Sequence, residues 1–242
     1  MYKHDERIHN FNAANRVLPD IIKEYNIKSI LDIGSGIGTW LKVAEENGVK
    51  DYIGIDGAWV DRKQLKIEED HFFEYDLRIP LNLKRTFDLI ICLEVAEHLP
   101  EESADTLIES IVSHGKMILF SSAVPEQGGQ NHLNEQRHEY WSNKFNNYGF
   151  VYYDLIRPRI WNDNEIEWWY RQNIFLISKT PIKDAEKMIN SNLYIHPELF
   201  YQVKESNIKL KKKMIKITQG SYSPFFYLSL MMKSILKRIK NG

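Results

Sequence analysis

The chain has 242 residues, 43% of them hydrophobic and 27% charged, which suits one domain with a full core plus an appendage. Its net charge of −1 hides an asymmetry: residues 203 to 242 hold ten Lys/Arg against one acid, Glu205, a net of +9, so the other 202 residues sum to −10. An acidic body argues against a nucleic-acid partner, whose phosphates need a basic face. The stretch MYKHDERIHN has no apolar run behind its charges, and no segment approaches the ~18 apolar residues of a membrane span. The expected compartment is therefore a bacterial-type cytoplasm. The one cysteine, Cys92, lies inside the apolar run DLIICL and reads as buried packing.

In chain order, Val17, Leu18, Ile21, Ile22 and Tyr25 recur at helical spacing, and SILDI follows Lys28 as a first strand. Trp40, Leu41, Val43 and Ala44 share a second helical face, with Gly48 as its stop. YIGID, HFFEYDL and FDLIICL read as strands two to four. PEESADTLIESIVSHG carries acids in its first turn and apolar residues at 104, 107, 108 and 111, so the spacing predicts a helix ending near Gly115. KMILFSSA is strand five, HEYWSNKFNNYG a further helix, and VYYDLI and NIFLIS two late strands. This alternation predicts an α/β fold, a three-layer sandwich on a mostly parallel sheet. The domain is expected to span residues 1–182, with a basic helical extension over 183–242.

Such sheets bind ligands beyond the carboxyl ends of their strands, which brings Asp32 to Gly38, Asp56 to Trp59, and Asp76 with Leu77 into view. The turn LDIGSGIGTW lacks the Lys of a P-loop after Gly38. It also misses the G-x-G-x-x-G of a dinucleotide site, because Gly34, Gly36 and Gly38 are spaced two and two and Thr39 stands where the third glycine belongs. Asp32 at its mouth would repel a pyrophosphate. An acid beside bare backbone suits a ligand with an ammonium and a carboxylate, as in S-adenosylmethionine.

The segment DIGSGIG resembles the first motif of class I S-adenosylmethionine-dependent methyltransferases, and the resemblance covers roughly residues 28 to 180. It implies a Rossmann-like fold with seven strands, the last antiparallel. It also implies cofactor contacts at Asp32, Gly34, Ser35, Gly36 and Gly38. Asp56, followed by Gly57, matches the acid that takes both ribose hydroxyls, and Asp76 with the Leu77 backbone matches the reader of the adenine amino group. Leu93 and Glu94, in FDLIICLEVAEHLP, fall in the motif that runs along the methionine part. Taken alone, Asp56 equally suits an NAD ribose site and Asp76 a strand-end turn. Trp59 either stacks on the adenine or packs in the core. LEVAEHLPEE, FSSAVPEQGGQNHLNEQRHEYW and LIRPRIWNDNEIEWWYRQNIFLI resemble a subgroup of small bacterial methyltransferases associated with surface polysaccharides.

Methyl transfer to a hydroxyl requires a group to take its proton, and a near-neutral His suits the task. His98, just past strand four, and His132, in the loop after strand five, are the candidate bases, with Glu135 or Glu97 to orient them. His4, His9, His71, His114 and His196 have no motif context and read as surface or packing residues. Asn131, Asn134, Gln136 and Arg137 suit a polyhydroxylated acceptor, although Asn134 also reads as a helix cap. Trp169 and Tyr170 offer faces to a sugar ring, and Arg159 or Arg171 a charge to a phosphate or carboxylate. His132, Glu135 and His138 lie three apart, unlike the i, i+4 pair of HExxH, so no metal is expected. HNFNAANRV is a candidate helix over the cofactor pocket.

Beyond Gly220, Ser223 as N-cap and Pro224 open a basic amphipathic helix with Phe225, Leu228, Met232, Ile235, Leu236 and Ile239 along one side. Such a helix packs on its own domain, self-associates, or lies on a membrane. The resulting expectation is an S-adenosylmethionine-dependent O-methyltransferase acting on a carbohydrate or activated precursor in capsule or surface-polysaccharide synthesis. The alternatives are a small phosphorylated or nucleotide-linked acceptor, a non-catalytic S-adenosylmethionine-binding domain, and, more distantly, an NAD-dependent sugar enzyme.

Overall fold

The computed structural model describes residues 10–182 and 194–241, so His4 and His9 lie outside the described residues. The chain divides into two units, residues 1–196 and 197–242. The boundary expected at 182 borders residues 183–193, which are outside the described residues. The backbone N–H of His196 donates to Gln172 Oε1 at 2.7 Å, and its ring lies 3.1 Å from the Trp161 carbonyl, which fastens His196 to the first unit.

Seven strands form one sheet: β1 (Ser29–Ile33), β2 (Asp51–Asp56), β3 (Phe72–Glu74), β4 (Leu89–Leu93), β5 (Met117–Ser121), β6 (Val151–Tyr153) and β7 (Phe175–Ser178). Their order is β3-β2-β1-β4-β5-β7-β6. Neighbours from β3 to β5 pair in parallel, while β7 runs antiparallel to both β5 and β6. The last strand in sequence is thus the one reversed strand, as expected.

Alternation along the strands divides the apolar side chains between two cores. Ile30, Leu89, Ile91, Leu119 and Leu176 face α1 (Asn12–Tyr25) and α2 (Thr39–Glu46), which bring Val17, Leu18, Ile21, Leu41 and Val43. Leu31, Ile33, Ile90, Cys92, Ile118, Phe120 and Ile177 face α3 (Ala104–His114) and α4 (His138–Asn146). Phe120 meets Trp141 and Phe145 at centroid distances of 5.7 and 5.2 Å, edge contacts worth about 0.5–1.5 kcal/mol each beyond burial. Cys92 is buried with no exposure, as the apolar run implied.

Two short helices between β6 and β7 were not read from the sequence: α5 (Arg157–Ile160) and α6 (Trp168–Asn173). Their spans of 4 and 6 residues are too short to display a helical period. The second unit holds α7 (Pro197–Thr218) and α8 (Pro224–Asn241). Gly220 at φ 70° turns the chain between them, the Ser223 hydroxyl caps the Phe226 N–H at 3.4 Å, and Tyr227 Oη donates to the Lys216 and Ile217 carbonyls. Among the described residues, no helix is long and apolar enough to cross a membrane.

Candidate active site

The glycine turn joins β1 to α2 at the carboxyl edge of the sheet. Gly34, Gly36 and Gly38 all take positive φ (83°, 54° and 82°), a region L side chains rarely adopt. The N–H groups of Gly34 and Ser35 donate to the Ile55 carbonyl, which ties the turn to the tip of β2. Asp56 ends β2, and its carboxylate accepts the Gly36 N–H at 2.7 Å and the Gly57 N–H at 2.6 Å. Asp32 is buried beside it. Burial first, and the Asp56 charge second, push the Asp32 carboxyl well above the ordinary range. Asp32 Oδ2 and the Ser35 hydroxyl are buried with no hydrogen-bond partner among the described residues. An orphaned buried carboxylate oxygen beside bare backbone is the environment that a cationic, hydrogen-bonding ligand relieves. The residues present therefore fit the ammonium end of S-adenosylmethionine.

Trp59 is 46% exposed, which removes the core-packing alternative. Its ring lies over Gly57, where a Cβ would stand 2.2 Å from the indole Cη2. Asp76 follows β3 and forms a bidentate pair with Arg78, which holds its carboxyl down at about 2, and it accepts the Arg78 N–H as a turn residue does. Leu77 and Leu93 are buried among apolar side chains.

Strand β4 is followed by Glu94, a non-glycine residue at φ 53°, and then by a 3-10 turn over Ala96–His98. Strain of this kind at a strand tip recurs at functional sites. The Glu94 carboxylate accepts Gln127 Nε2 at 3.2 Å and Asn173 Nδ2 at 3.4 Å, and Asn173 also donates to Gln127 Oε1 at 2.9 Å. Burial raises the Glu94 carboxyl against these donors. Gln127 and Asn173 were missed from sequence; the signal for Asn173 was the polar run RQN directly before a strand, and Gln127 lies in the polar loop PEQGGQ after β5.

The loop after β5 folds back onto that turn. The Leu133 and Asn134 N–H groups donate to the Glu97 carbonyl at 2.7 and 3.0 Å. Glu135 accepts the Glu126 and Gly128 N–H groups and lies 2.8 Å from His132 Nδ1. Both candidate bases thus meet, with the His98 and His132 ring centroids 4.9 Å apart and nearly perpendicular. Burial, then the neighbouring His132, depresses the half-buried His98 to about 4, so it is neutral at pH 7. Gly129 leaves room for His132, whose Nε2 sits 2.1 Å from where a Cβ would be.

The other expected site residues are placed variously. Asn131 is exposed at φ 61°, and Gln136 donates to the buried Asn134 Oδ1 at 2.9 Å. Arg137, not Asn134, stands at the N-cap of α4. His138 is buried against Phe175 and lies 3.3 Å from Asn173 Oδ1, so His132, Glu135 and His138 do not converge. Trp169 and Tyr170 are half-buried, and Tyr170 packs edge-on to Trp40. Arg171 is buried and donates to the Trp161 carbonyl and Asn164 Oδ1. Arg159 is exposed and lies 3.9 Å from Glu24 in the last turn of α1. At its other end α1 is clasped to the segment before α6, through Asn10 to Glu167 and Arg16 to Glu165.

Seven strands in this order, with a glycine turn after the first and acids at the next two tips, define the class I methyltransferase architecture. The Methyltransferase domain family matches residues 6–173, and the chain belongs to that family. No curated protein matches the sequence. The fold is similar to the sugar N-methyltransferase KedS8 from Streptoalloteichus sp ATCC 53650, at 14% identity over 75% of this chain and 96% of that one, TM-score 0.57. It is also similar to CalS10, an amino pentose methyltransferase from Micromonospora echinaspora solved with S-adenosylmethionine bound (14%, 71% and 92%, TM-score 0.52). Magnesium protoporphyrin IX methyltransferase from Synechocystis PCC 6803, also with S-adenosylmethionine bound, matches at 17% over 73% and 82%, TM-score 0.54.

Proposed function

We propose that this chain is an S-adenosylmethionine-dependent O-methyltransferase whose acceptor is a hydroxyl of a carbohydrate or activated precursor in bacterial surface-polysaccharide synthesis. The observation that carries the O-methyl reading is the His132–Glu135 pair beside His98, at the same sheet edge as the glycine turn. When bound, the cofactor supplies an electrophilic methyl group on a positively charged sulfur. Asp32 and the Gly34–Gly38 turn hold its amino-acid end, Asp56 its ribose, and Trp59 with Asp76 its base. Glu135 fixes the His132 ring through Nδ1, leaving the other nitrogen to take the proton of an acceptor hydroxyl held in line. The names of KedS8 and CalS10 support a sugar acceptor.

The test is methyl transfer from radiolabelled cofactor to nucleotide sugars and glycan precursors, with wild type and His132→Asn compared. The variant is expected to lose about 10²–10⁴-fold in kcat while keeping its affinity for S-adenosylhomocysteine. A variant that turns over at the wild-type rate removes His132 from the reaction.

A further inference from the structure

The fully buried Glu97 side chain has a feature that the proton-transfer scheme does not use. Neither of its carboxyl oxygens makes a hydrogen bond of normal geometry among the described residues, although the Glu97 and Ala123 backbone N–H groups and the Glu94 carboxyl lie against it. Two buried carboxyls side by side are costly to ionise without a counter-charge, and a bound cation is one way to supply it. One ligand atom from each of Glu97, His98 and His132 lies within 4.8 Å of the others.

We propose that Glu97, His98 and His132 form a binding site for one divalent first-row transition cation at the carboxyl edge of the sheet. Imidazole nitrogens select manganese, cobalt or zinc over magnesium or calcium, which prefer all-oxygen shells. With each donor ~2.1 Å from the ion, pairs of donors stand about 3–4 Å apart, so small side-chain rotations close the site. The surroundings already do what outer-shell groups do. Glu135 holds His132 Nδ1, which turns the opposite nitrogen away from that pair, and the backbone at Gln130 and Asn131 hydrogen-bonds the His98 ring. Gly129 clears the space around His132 Nε2. Two or three positions on the ion stay open for water or an acceptor oxygen.

This inference deepens the proposed function and rests on that reading only for the identity of the oxygen it would hold. In this arrangement His132 would serve as a ligand in place of the proton acceptor described above, and the ion would acidify the acceptor hydroxyl, whose proton would leave to solvent. The set differs from the His132, Glu135 and His138 combination considered in the sequence, because Glu97 is brought in by the 3-10 turn and His138 is held elsewhere by Asn173.

The experiment uses the full chain without a histidine tag, stripped with EDTA and dialysed. Manganese chloride is titrated calorimetrically and cobalt chloride by visible absorption, each with S-adenosylhomocysteine binding measured in parallel. The expected result is one ion per chain with micromolar affinity and ligand-field bands for cobalt. Glu97→Gln and His132→Asn should each weaken binding at least tenfold while retaining S-adenosylhomocysteine binding, and Glu135→Gln should weaken it about 10–100-fold by releasing the His132 ring. No uptake at millimolar ion, or uptake undiminished in both ligand variants, overturns the site. Ion uptake by a chain that fails to bind S-adenosylhomocysteine leaves the cation site standing and sinks the methyltransferase reading. S-adenosylhomocysteine binding without ion uptake does the reverse.

Discussion

Gly34 has its φ at 83°, and a Cβ added there would stand 2.2 Å from Val95 Cγ2. Both conditions exclude a side chain, so Gly34→Ala is expected to destabilise the fold by about 2–4 kcal/mol. Urea unfolding checks this, and a change under about 0.5 kcal/mol would mean the turn is looser than described. This position was legible in the sequence because the turn packs its requirements into five consecutive residues. Asp32 and Asp56 were legible because each stands at or next to the end of a strand pattern. Trp59 was ambiguous until its exposure was known, since an aromatic after a strand suits either environment. The burial of Arg171, read as a candidate charge for a phosphate or carboxylate, was not legible. It depends on the carbonyl of Trp161, ten residues away, which only the fold brings near.

At the scale of elements, α4 packs on the outer strands and carries His138 into the core. Burial, then the Arg157 charge, lowers His138 to about 3, although the Asn173 hydrogen bond opposes the shift. The unfolded chain takes up this proton near pH 6.5 and the native chain does not, so the neutral imidazole's contribution is complete above that pH. It is lost as pH falls from about 6.5 toward 3. Between these limits wild-type stability should fall more steeply than that of His138→Gln, by up to about 1.4 kcal/mol per pH unit. Equal slopes for the two proteins would mean that His138 charges freely in the native state. The strands and longer helices were legible from period and caps. The polar group of Glu94, Gln127 and Asn173 was not, because its members are 33, 46 and 79 positions apart and meet only once β4, β5 and α6 are placed.

At the scale of the whole molecule, the acidic first unit and the basic last forty residues carry opposite charge. In α8, Phe225, Leu228, Met232, Ile235, Leu236 and Ile239 are all exposed, on a helix that carries Lys237 and Arg238 near its end. An exposed apolar stripe with cationic neighbours has the chemistry of a peripheral membrane contact. The full chain should pellet with vesicles containing anionic lipid, more weakly as salt rises, and a chain lacking residues 221–242 should not. Equal pelleting of both would remove the membrane contact. The helix itself was legible from Ser223 and Pro224, whereas the edge of the first unit at His196 was not, because it depends on the contacts of His196 with Gln172 and Trp161.

The central claim is that the turn from Gly34 to Gly38 holds S-adenosylmethionine. Its most direct test is calorimetric titration with S-adenosylhomocysteine, alongside NAD and an Asp56→Ala variant checked for folding. Micromolar binding by the wild type, at least tenfold weaker in the variant and absent for NAD, is the predicted result. No binding by a folded wild type, or binding of NAD in its place, would contradict the account.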